Sequence, residues 1–333
     1  MKELTIRRPD DFHLHLRQGE NMKKYAAASA ASFSRALIMP NILPPVCDPA
    51  GLKAYRDEIQ KSCEGFTPLM TFKILPHMKA EDIKPLKEAG ALAGKLYPAG
   101  VTTNAEDGIS SLDQIRDVLF AMEEEGLVLS IHGEDPNASI LEREIRFLPQ
   151  LEKLVSSYGK LKIVFEHISR RESLLFLNEL PERVAGTITA HHLLYTLDDL
   201  MGAALKPHLF CKPVVKTEED RQALAEAVLN GHSRLFFGSD SAPHLKENKE
   251  NAVVSAGVFT SPILMPLLAD FFEREGCLSN LEAFVSERGA SFYGLPLNRE
   301  TLTLRKESWM VPDLIGGAVP LLAGTELFWR VLP

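Results

Sequence analysis

Two histidines separated by one residue, His13 and His15, stand in the segment Asp-Phe-His-Leu-His-Leu-Arg that begins at Asp11. Residues two apart on a β-strand point to the same side, so both imidazoles can face one cation. Neutral imidazole is a common ligand of zinc and related metals. Because hydrogen-bonded core histidines can show the same spacing, the pair needs support from other parts of the chain.

Other apolar runs of the chain also end in polar residues that can ligate a metal, directly or after modification. They are Lys95, His132, His167 and Asp240. Each residue alone is better explained as a polar group that terminates a strand than as a metal ligand. Because so many strands end in this way, the sequence indicates one metal centre at the edge where the strands finish.

Lys95 needs a separate argument, because a protonated lysine has three hydrogen-bond donors and no acceptor. Its spacing alone favours an ion pair with Asp240 or Glu166. The alternative is that burial next to cations removes the proton and makes the amine nucleophilic. Addition of carbon dioxide then gives a carboxylate-like carbamate, which is able to bridge two metals.

The elements that must position these residues are short apolar runs that alternate with amphipathic segments. The predicted strands lie near residues 6–15, 36–40, 69–75, 91–97, 127–132, 162–167, 184–190 and 235–239. Nearly continuous apolar runs are typical of strands buried on both faces of a parallel sheet. The predicted helices between them include residues 111–126, 140–158, 172–180 and 218–229. This alternation predicts an α/β fold, namely a (β/α)8 TIM-type barrel rather than an open doubly wound sheet.

The C-terminal part of the chain follows a different pattern. Helical segments over residues 261–275 and 280–288 precede a strand-like tail that contains Trp309 and Trp329. Since there is no repeat or clear linker, we expect one domain over residues 1–333. The barrel is expected over about 3–295, with the tail of about 296–333 packed on it as an extension.

The composition excludes several classes of protein. The net charge of −8, without a run of Lys and Arg, argues against nucleic acid as a partner. Four widely separated cysteines suggest neither a zinc ribbon nor a disulfide-stapled secreted fold. The chain has no apolar stretch long enough for a membrane span and no signal-peptide pattern at its start. We therefore expect a cytoplasmic protein with a small-molecule substrate.

Several motifs together resemble the shorter, stand-alone bacterial type of dihydroorotase, in the amidohydrolase superfamily. They are His-Leu-His-Leu-Arg (13–17), Met-Pro-Asn (39–41), Lys-Leu-Tyr-Pro-Ala (95–99) with Thr-Thr-Asn (102–104), Phe-Glu-His-Ile (165–168) and Gly-Ser-Asp-Ser-Ala-Pro-His (238–244). The resemblance extends from Arg7 to about Leu295, in order and with compatible spacing. The C-terminal tail is much less diagnostic.

The resemblance implies two zinc ions per subunit, bridged by a hydroxide and by a carboxylated Lys95. It assigns the remaining ligands as His13, His15 and Asp240 for one ion and His132 and His167 for the other. On this resemblance Lys95 is a metal ligand rather than a member of an ion pair. Asp240 is implied to act also as the general acid and base.

The implied reaction is the reversible cyclisation of N-carbamoyl-L-aspartate to L-dihydroorotate and water, the third step of de novo pyrimidine biosynthesis. The substrate contacts implied are Arg17, Asn41 and His244 at a carboxylate, Thr102 and Thr103 on a mobile loop, and Lys212 and Ala256 through backbone atoms. Lys212 departs from the apolar residue expected there, so its side chain can alter loop packing. The resemblance also suggests a homodimer.

Two alternatives stay open at this point. A hydantoinase- or allantoinase-like cyclic amidase would keep the metal ligands and change the residues that hold the substrate. A catalytically inactive barrel would serve as a metal-free scaffold, although the presence of every implied ligand argues against it. His191 and His192 follow the seventh predicted strand, and we expect them to support the ligands rather than bind the metal.

Overall fold

The computed structural model describes residues 2–332, and its centre is an eight-stranded parallel sheet in which the strands follow one another in chain order. The strands of the chain are β1 (Glu3–Arg7), β2 (Asp10–Leu14), β3 (Arg35–Ile38), β4 (Thr67–Lys73), β5 (Ala91–Leu96), β6 (Val128–Ile131), β7 (Ile163–Phe165), β8 (Val184–Ile188), β9 (Leu235–Phe237), β10 (Thr301–Met310) and β11 (Glu326–Val331). The eight-stranded sheet runs from β2 to β9.

The sheet closes where β2 meets the residues that follow β9. Leu14 and Ser241 form a parallel bridge. The amide of Asp240 donates to the carbonyl oxygen of His13 at 2.9 Å, and that of His15 donates to the carbonyl oxygen of Ser241 at 3.0 Å. The predicted (β/α)8 barrel is confirmed, and three of the candidate ligands, His13, His15 and Asp240, lie at its seam.

Helices surround the barrel. They are α1 (Met22–Ala30), α2 (Pro49–Ser62), α3 (Ile83–Glu88), α4 (Arg116–Glu125), α5 (Arg143–Ser157), α6 (Arg171–Glu179), α7 (Ala190–Leu194), α8 (Leu197–Met201), α9 (Glu218–Leu229), α10 (Lys246–Lys249), α11 (Leu264–Arg274) and α12 (Arg288–Tyr293). Helix α9 has the predicted bounds, because the Thr217 hydroxyl accepts a hydrogen bond from Asp220 N at its start. Every helix within residues 2–332 is too short or too polar to cross a bilayer.

The first predicted strand, residues 6–15, is divided into two strands that belong to different sheets. Pro9 lies between β1 and β2 and has no N–H to continue a ladder. Strand β1 pairs with β10, and β10 pairs with β11, both antiparallel. The eight-stranded sheet therefore begins at Asp10, and residues 3–7 belong to the small antiparallel sheet.

The C-terminal extension packs on the outside of the barrel, against α11. Trp329 of β11 is 1% exposed, and its indole Nε1 donates to Glu273 Oε2 at 3.1 Å. Trp309 of β10 donates to the carbonyl oxygen of Trp329 at 2.7 Å. Trp329 thus fixes the small sheet to one wall of the barrel, and Trp309 links the two strands β10 and β11 of that sheet.

Aromatic packing fills the barrel interior on the side where its strands begin. Phe12 stacks on Tyr293 of α12, with ring centroids 5.0 Å apart. A Cβ at Gly289 would lie 2.3 Å from Phe12, so the absence of a side chain permits α12 to approach this closely. Phe12 immediately precedes His13, and Ala93 of the same cluster precedes Lys95 by two residues. The polar candidates therefore lie toward the opposite end of the barrel, where the strands finish.

Candidate metal centre and active site

One group of donors is formed by His13, His15 and Asp240, all of them buried. Asp240 Oδ1 lies 3.3 Å from His13 Nε2 and 3.2 Å from His15 Nε2. The two Nε2 atoms are 3.3 Å apart. Tetrahedral zinc with Zn–N distances of about 2.0–2.1 Å separates its ligand atoms by about 3.3–3.4 Å. The triangle therefore fits a cation of this size.

The electrostatics of this group favour the protonation states that a metal requires. Burial lowers the pKa of His15 to about 4, which leaves a neutral imidazole at neutral pH. Burial opposes ionisation of Asp240, but the neighbouring His13 and the hydrogen bond with His15 bring the pKa of that carboxyl below its ordinary value. The carboxylate of Asp240 and the neutral imidazole of His15 thus both face the place where a cation would bind.

The second pair of predicted ligands lies beside the first group. The rings of His132 and His167 have centroids 4.7 Å apart, and the ring of His167 lies 5.1 Å from that of His13. Burial lowers the pKa of both His132 and His167. Nδ1 of His167 is buried and has no hydrogen-bond partner in the part of the chain that the structure describes. A buried nitrogen with a free lone pair is available to a cation.

Lys95 reaches the same place from β5 and is fully buried. Its Nζ has no hydrogen-bond partner among residues 2–332, and Glu166 Oε1 lies 4.0 Å away. Burial lowers the pKa of Lys95, although the charges of Glu166 and Asp240 oppose this. An amine without hydrogen bonds, pushed toward its neutral form, is the state that carbamate formation needs.

Glu166 is a site residue that sequence analysis connected only with a possible ion pair to Lys95. Its Oε2 lies 2.6 Å from His13 Nδ1 and accepts from the Thr187 hydroxyl at 2.9 Å, while Ser130 contacts Oε1. Burial raises the pKa of Glu166, but Lys95 and His13 outweigh it and hold the pKa at about 2. The carboxylate thus fixes the ring of His13 with Nε2 toward Asp240.

Two further residues that the sequence reasoning missed follow a candidate ligand by two positions. Glu134 Oε2 lies 2.8 Å from His132 Nε2, so it orients that ring. Tyr97 is 1% exposed and lines the cavity two residues after Lys95. The period of two along an extended chain is the signal that would have found both residues.

These side chains border one cavity, which opens to solvent. Its walls comprise His13, His15, Arg17, Asn41, Tyr97, Thr102, Thr103, His132, His167, Lys212, Asp240, Ala242, Ala256 and Gly257. Two of the predicted site residues, Lys95 and His244, do not line it. Lys95 is fully buried, and His244 contacts the lining residue Arg17.

Arg17, His244 and Ala256 form a polar network at one side of the cavity. Arg17 Nη2 lies 2.9 Å from His244 Nε2. His244 Nε2 also lies 2.9 Å from the carbonyl oxygen of Ala256. Arg17 Nε donates to the carbonyl oxygen of Pro243 at 2.9 Å. Burial and the charge of Arg17 lower the pKa of His244 to about 3. A cationic guanidinium beside a neutral imidazole suits an anionic ligand group.

A loop over residues 100–108 covers another side of the cavity. Asn41 Nδ2 donates to the carbonyl oxygen of Thr103 at 3.2 Å, and Asn104 Nδ2 donates to that of Asn41 at 2.9 Å. Lys73, which is buried on β4, donates to the carbonyl oxygen of Asn104 at 2.7 Å and also contacts Asp107. These contacts hold Thr102 and Thr103 against the site.

The wall that carries Lys212 and Ala256 is held by a buried cation. Lys249 Nζ donates to the carbonyl oxygens of Phe210 at 3.0 Å, Ser255 at 2.9 Å and Gly257 at 2.7 Å. All three donors of the ammonium group are therefore satisfied. Lys249 joins two backbone segments, one before Lys212 and one on both sides of Ala256.

Comparison with known proteins gives the same assignment in sequence and in structure. No protein-family model matches the chain. Curated relatives of the chain are named dihydroorotase. The one from Marinobacter nauticus is 43% identical over 340 residues, which cover 99% of both chains. The one from Vibrio vulnificus strain YJ016 is 43% identical over 341 residues, which cover 99% of this chain and 100% of the relative.

Solved structures of dihydroorotases superpose over nearly the whole chain. The enzyme of Saccharomyces cerevisiae, in complex with 5-fluoroorotic acid, has a TM-score of 0.93, 33% identity and coverage of 100% of this chain and 99% of its own. That of Campylobacter jejuni has a TM-score of 0.90, 37% identity and coverage of 99% and 97%. An L-hydantoinase from Arthrobacter aurescens, with a TM-score of 0.85 and 16% identity over 98% of this chain and 82% of its own, shares the fold.

The likeness to the hydantoinase shows that the two proteins share a fold, and it gives no information on the reaction of this chain. The dihydroorotase relatives differ in this respect, because their identity of 43% extends over almost the full length of both chains. Members of this family belong to the amidohydrolase superfamily, which is generally metal-dependent, in keeping with the donor groups at the strand ends. The chain therefore belongs to the dihydroorotase family.

Proposed function

We propose that this chain is a zinc-dependent dihydroorotase, which interconverts N-carbamoyl-L-aspartate and L-dihydroorotate plus water in de novo pyrimidine biosynthesis. The observation that carries the proposal is the meeting of the metal-binding and anion-binding groups in one cavity. His13, His15, His132, His167 and Asp240 line it together with Arg17 and Asn41. The curated relatives bear the same name.

Two zinc ions fit the donor set. One would be held by His13, His15 and Asp240, the other by His132 and His167, with the carbamate of Lys95 shared between them. The unpartnered atoms Lys95 Nζ and His167 Nδ1 support this arrangement, because buried polar atoms without partners are rare in folded proteins. Bound zinc supplies Lewis acidity for the amide carbonyl and lowers the pKa of water from 15.7 to about 7.

The substrate carboxylate is held by the network at the side of the cavity. The guanidinium of Arg17 makes paired, charge-assisted hydrogen bonds to a planar carboxylate. Asn41 donates from its amide, and His244 donates from Nε2 in place of its contact with the Ala256 carbonyl. Lys212 and Ala256 contact the substrate through backbone atoms. The carboxylate thereby fixes the ring relative to Asp240.

Asp240 moves the proton. In the direction of hydrolysis, its carboxylate accepts a proton from the attacking water while the new C–O bond forms. It then gives that proton to the leaving nitrogen as the ring C–N bond breaks. In cyclisation, it removes the proton from the attacking nitrogen. The lowered pKa of Asp240 keeps this group in its carboxylate form before the reaction begins.

The loop over residues 100–108 limits the access of water during the reaction. Thr102 and Thr103 lie on the cavity wall, and Asn41 contacts both the loop and the expected substrate position. Exclusion of bulk water strengthens the hydrogen bonds to the substrate. The side chain of Asn41 thus links substrate binding to closure of the loop over residues 100–108.

A turnover panel tests this function against another cyclic amidase. Purified, zinc-loaded protein is supplied with L-dihydroorotate, hydantoin and allantoin under the same conditions. We expect dihydroorotate to be hydrolysed with by far the highest kcat/KM, whereas preference for hydantoin or allantoin would overturn the proposal. Absence of all turnover, in protein that retains no metal after zinc is supplied, would instead favour the scaffold alternative. Location in the cytoplasm and a homodimer stay predictions.

A further inference from the structure

Three buried side chains that the proposed mechanism does not use gather behind the wall of the cavity. They are His191 and His192 of α7 and Cys211, at 0%, 2% and 1% exposure. Each offers one ligand atom, and these atoms lie within 4.8 Å of one another. Two imidazoles and a thiol at this spacing make a donor set that suits zinc or a related transition metal.

His191 supplies the independent observation that points to a ligand. Both of its ring nitrogens are buried, and neither has a hydrogen-bond partner within the described residues. A neutral imidazole contains one donor and one acceptor, and a buried polar group left without a partner costs about 1–3 kcal/mol. A cation bound between His191 and its neighbours would give the acceptor nitrogen of the His191 ring a partner. Only the donor nitrogen of that ring would then stay without one.

The surroundings of His192 and Cys211 allow both to turn a lone pair toward a cation. His192 Nε2 and Cys211 Sγ each lie 3.1 Å from the carbonyl oxygen of Pro213. The Thr189 hydroxyl lies 2.8 Å from His192 Nδ1. Because a hydroxyl can also accept, Nδ1–H can donate to Thr189 and leave the Nε2 lone pair free, as in many metal-bound histidines.

We propose that His191, His192 and Cys211 form a separate site for one divalent transition-metal ion, with the Pro213 carbonyl oxygen as a fourth donor. Binding converts the Cys211 thiol into a thiolate bound to the cation and releases its proton to solvent. The site joins α7, which follows β8, to the segment that carries Lys212. It would therefore stabilise the wall of the cavity without taking part in the reaction.

Cobalt substitution tests the site with a readout other than activity. The metal ligands proposed for catalysis contain no sulfur, so a thiolate-to-Co(II) charge-transfer absorption reports a cysteine-bound ion alone. The full chain is depleted of metal, loaded with Co(II) and freed of excess ion. We expect this absorption in the wild type, and we expect Cys211→Ser and His191→Gln to lack it and to hold one equivalent of cobalt less.

The matched control is Cys63→Ser, which changes a half-buried cysteine outside the cluster and should retain the absorption. Circular dichroism identifies any variant that fails to fold. If Cys211→Ser fails to fold, His191→Gln replaces it in the test. An absent thiolate band in cobalt-loaded wild type, or a band that persists in folded Cys211→Ser, would overturn the proposal. Because the catalytic ions are counted separately, neither result depends on the proposed reaction.

Discussion

At the scale of single residues, the site is marked by uncommon backbone conformations. Arg17, His167 and Asp240 have positive φ angles of 62°, 42° and 45°. Residues other than glycine avoid this region, at a cost of roughly 1–2 kcal/mol each. All three directly follow barrel strands or their immediate extensions, where the chain turns and the side chains are directed to the cavity. Their side-chain chemistry, rather than local stability, explains their presence there.

Removal of the Lys95 amine tests its place between the metals. We predict that Lys95→Ala lowers zinc content and abolishes measurable hydrolysis of dihydroorotate, because the shared ligand is lost. Added bicarbonate or another small carboxylate should restore part of the activity by occupying the vacated space. Metal analysis and turnover with and without the additive measure both effects. Unchanged metal content and activity would exclude Lys95 from the centre.

Arg17→Ala separates substrate binding from metal binding. Loss of two charge-assisted hydrogen bonds costs about 3 kcal/mol, so kcat/KM for dihydroorotate should fall about 100-fold or more. Zinc content should stay at the wild-type level, since Arg17 is not a ligand. Arg116→Ala, at an exposed arginine on α4, is the matched control and should retain normal kinetics. Normal kinetics in Arg17→Ala would remove that residue from the site.

Sequence reasoning at this scale found the residues that end strands and missed those that support them. His13 and His15 were predictable because alternate residues of a strand share a face. Glu166 was not assigned its role, because its contact with His13 joins β2 to the end of β7 across 153 residues. Such a pairing depends on how the barrel closes, which no local pattern records.

At the scale of elements, the loop over residues 100–108 is fixed by Lys73 of β4. We predict that Lys73→Met raises KM for dihydroorotate about tenfold and leaves zinc content unchanged, because it releases Asn104 and Asp107 without touching a ligand. Steady-state kinetics and metal analysis check this, with Lys79→Met as an exposed control. Loss of zinc in Lys73→Met would show that Lys73 supports the metal centre instead.

Lys249 of α10 holds together the backbone wall next to Lys212. Lys249→Met leaves three carbonyl oxygens without their donor, which should lower the free energy of unfolding by about 2–4 kcal/mol and also reduce kcat/KM. Lys246→Met, on the exposed side of the same helix, should change stability by less than about 0.5 kcal/mol. Denaturant unfolding compares the two variants, and equal stability would contradict the proposed role.

The same lysine gives a pH-dependent prediction. Burial lowers the pKa of Lys249 to about 8 from an ordinary value of 10.5. Between pH 8 and pH 10.5 the unfolded chain therefore binds more protons at this residue than the folded chain does. The unfolding free energy of the wild type should therefore rise, relative to Lys249→Met, by up to about 3 kcal/mol from pH 8 to pH 10.5. Below pH 8 the difference should be constant. A difference that falls over the alkaline window would contradict this linkage.

At the scale of the whole molecule, the barrel was predictable because its signal is repeated along the chain. Apolar runs alternate with amphipathic segments, and each run contributes one strand to the parallel sheet. The small sheet of the C-terminal extension was not predictable in the same way. Its strand β1 pairs with β10, so that Ile6 lies opposite Leu302. Local patterning cannot specify partners this distant, and Pro9 was the one local sign that the first run is divided.

Chelation tests whether metals held at the strand ends are required for this protein to hydrolyse dihydroorotate. Dihydroorotate hydrolysis is measured in the purified protein before chelation, after removal of its metals and after return of zinc. The account predicts loss of activity with the metals and recovery with zinc. Undiminished hydrolysis by protein shown to contain no metal would contradict it.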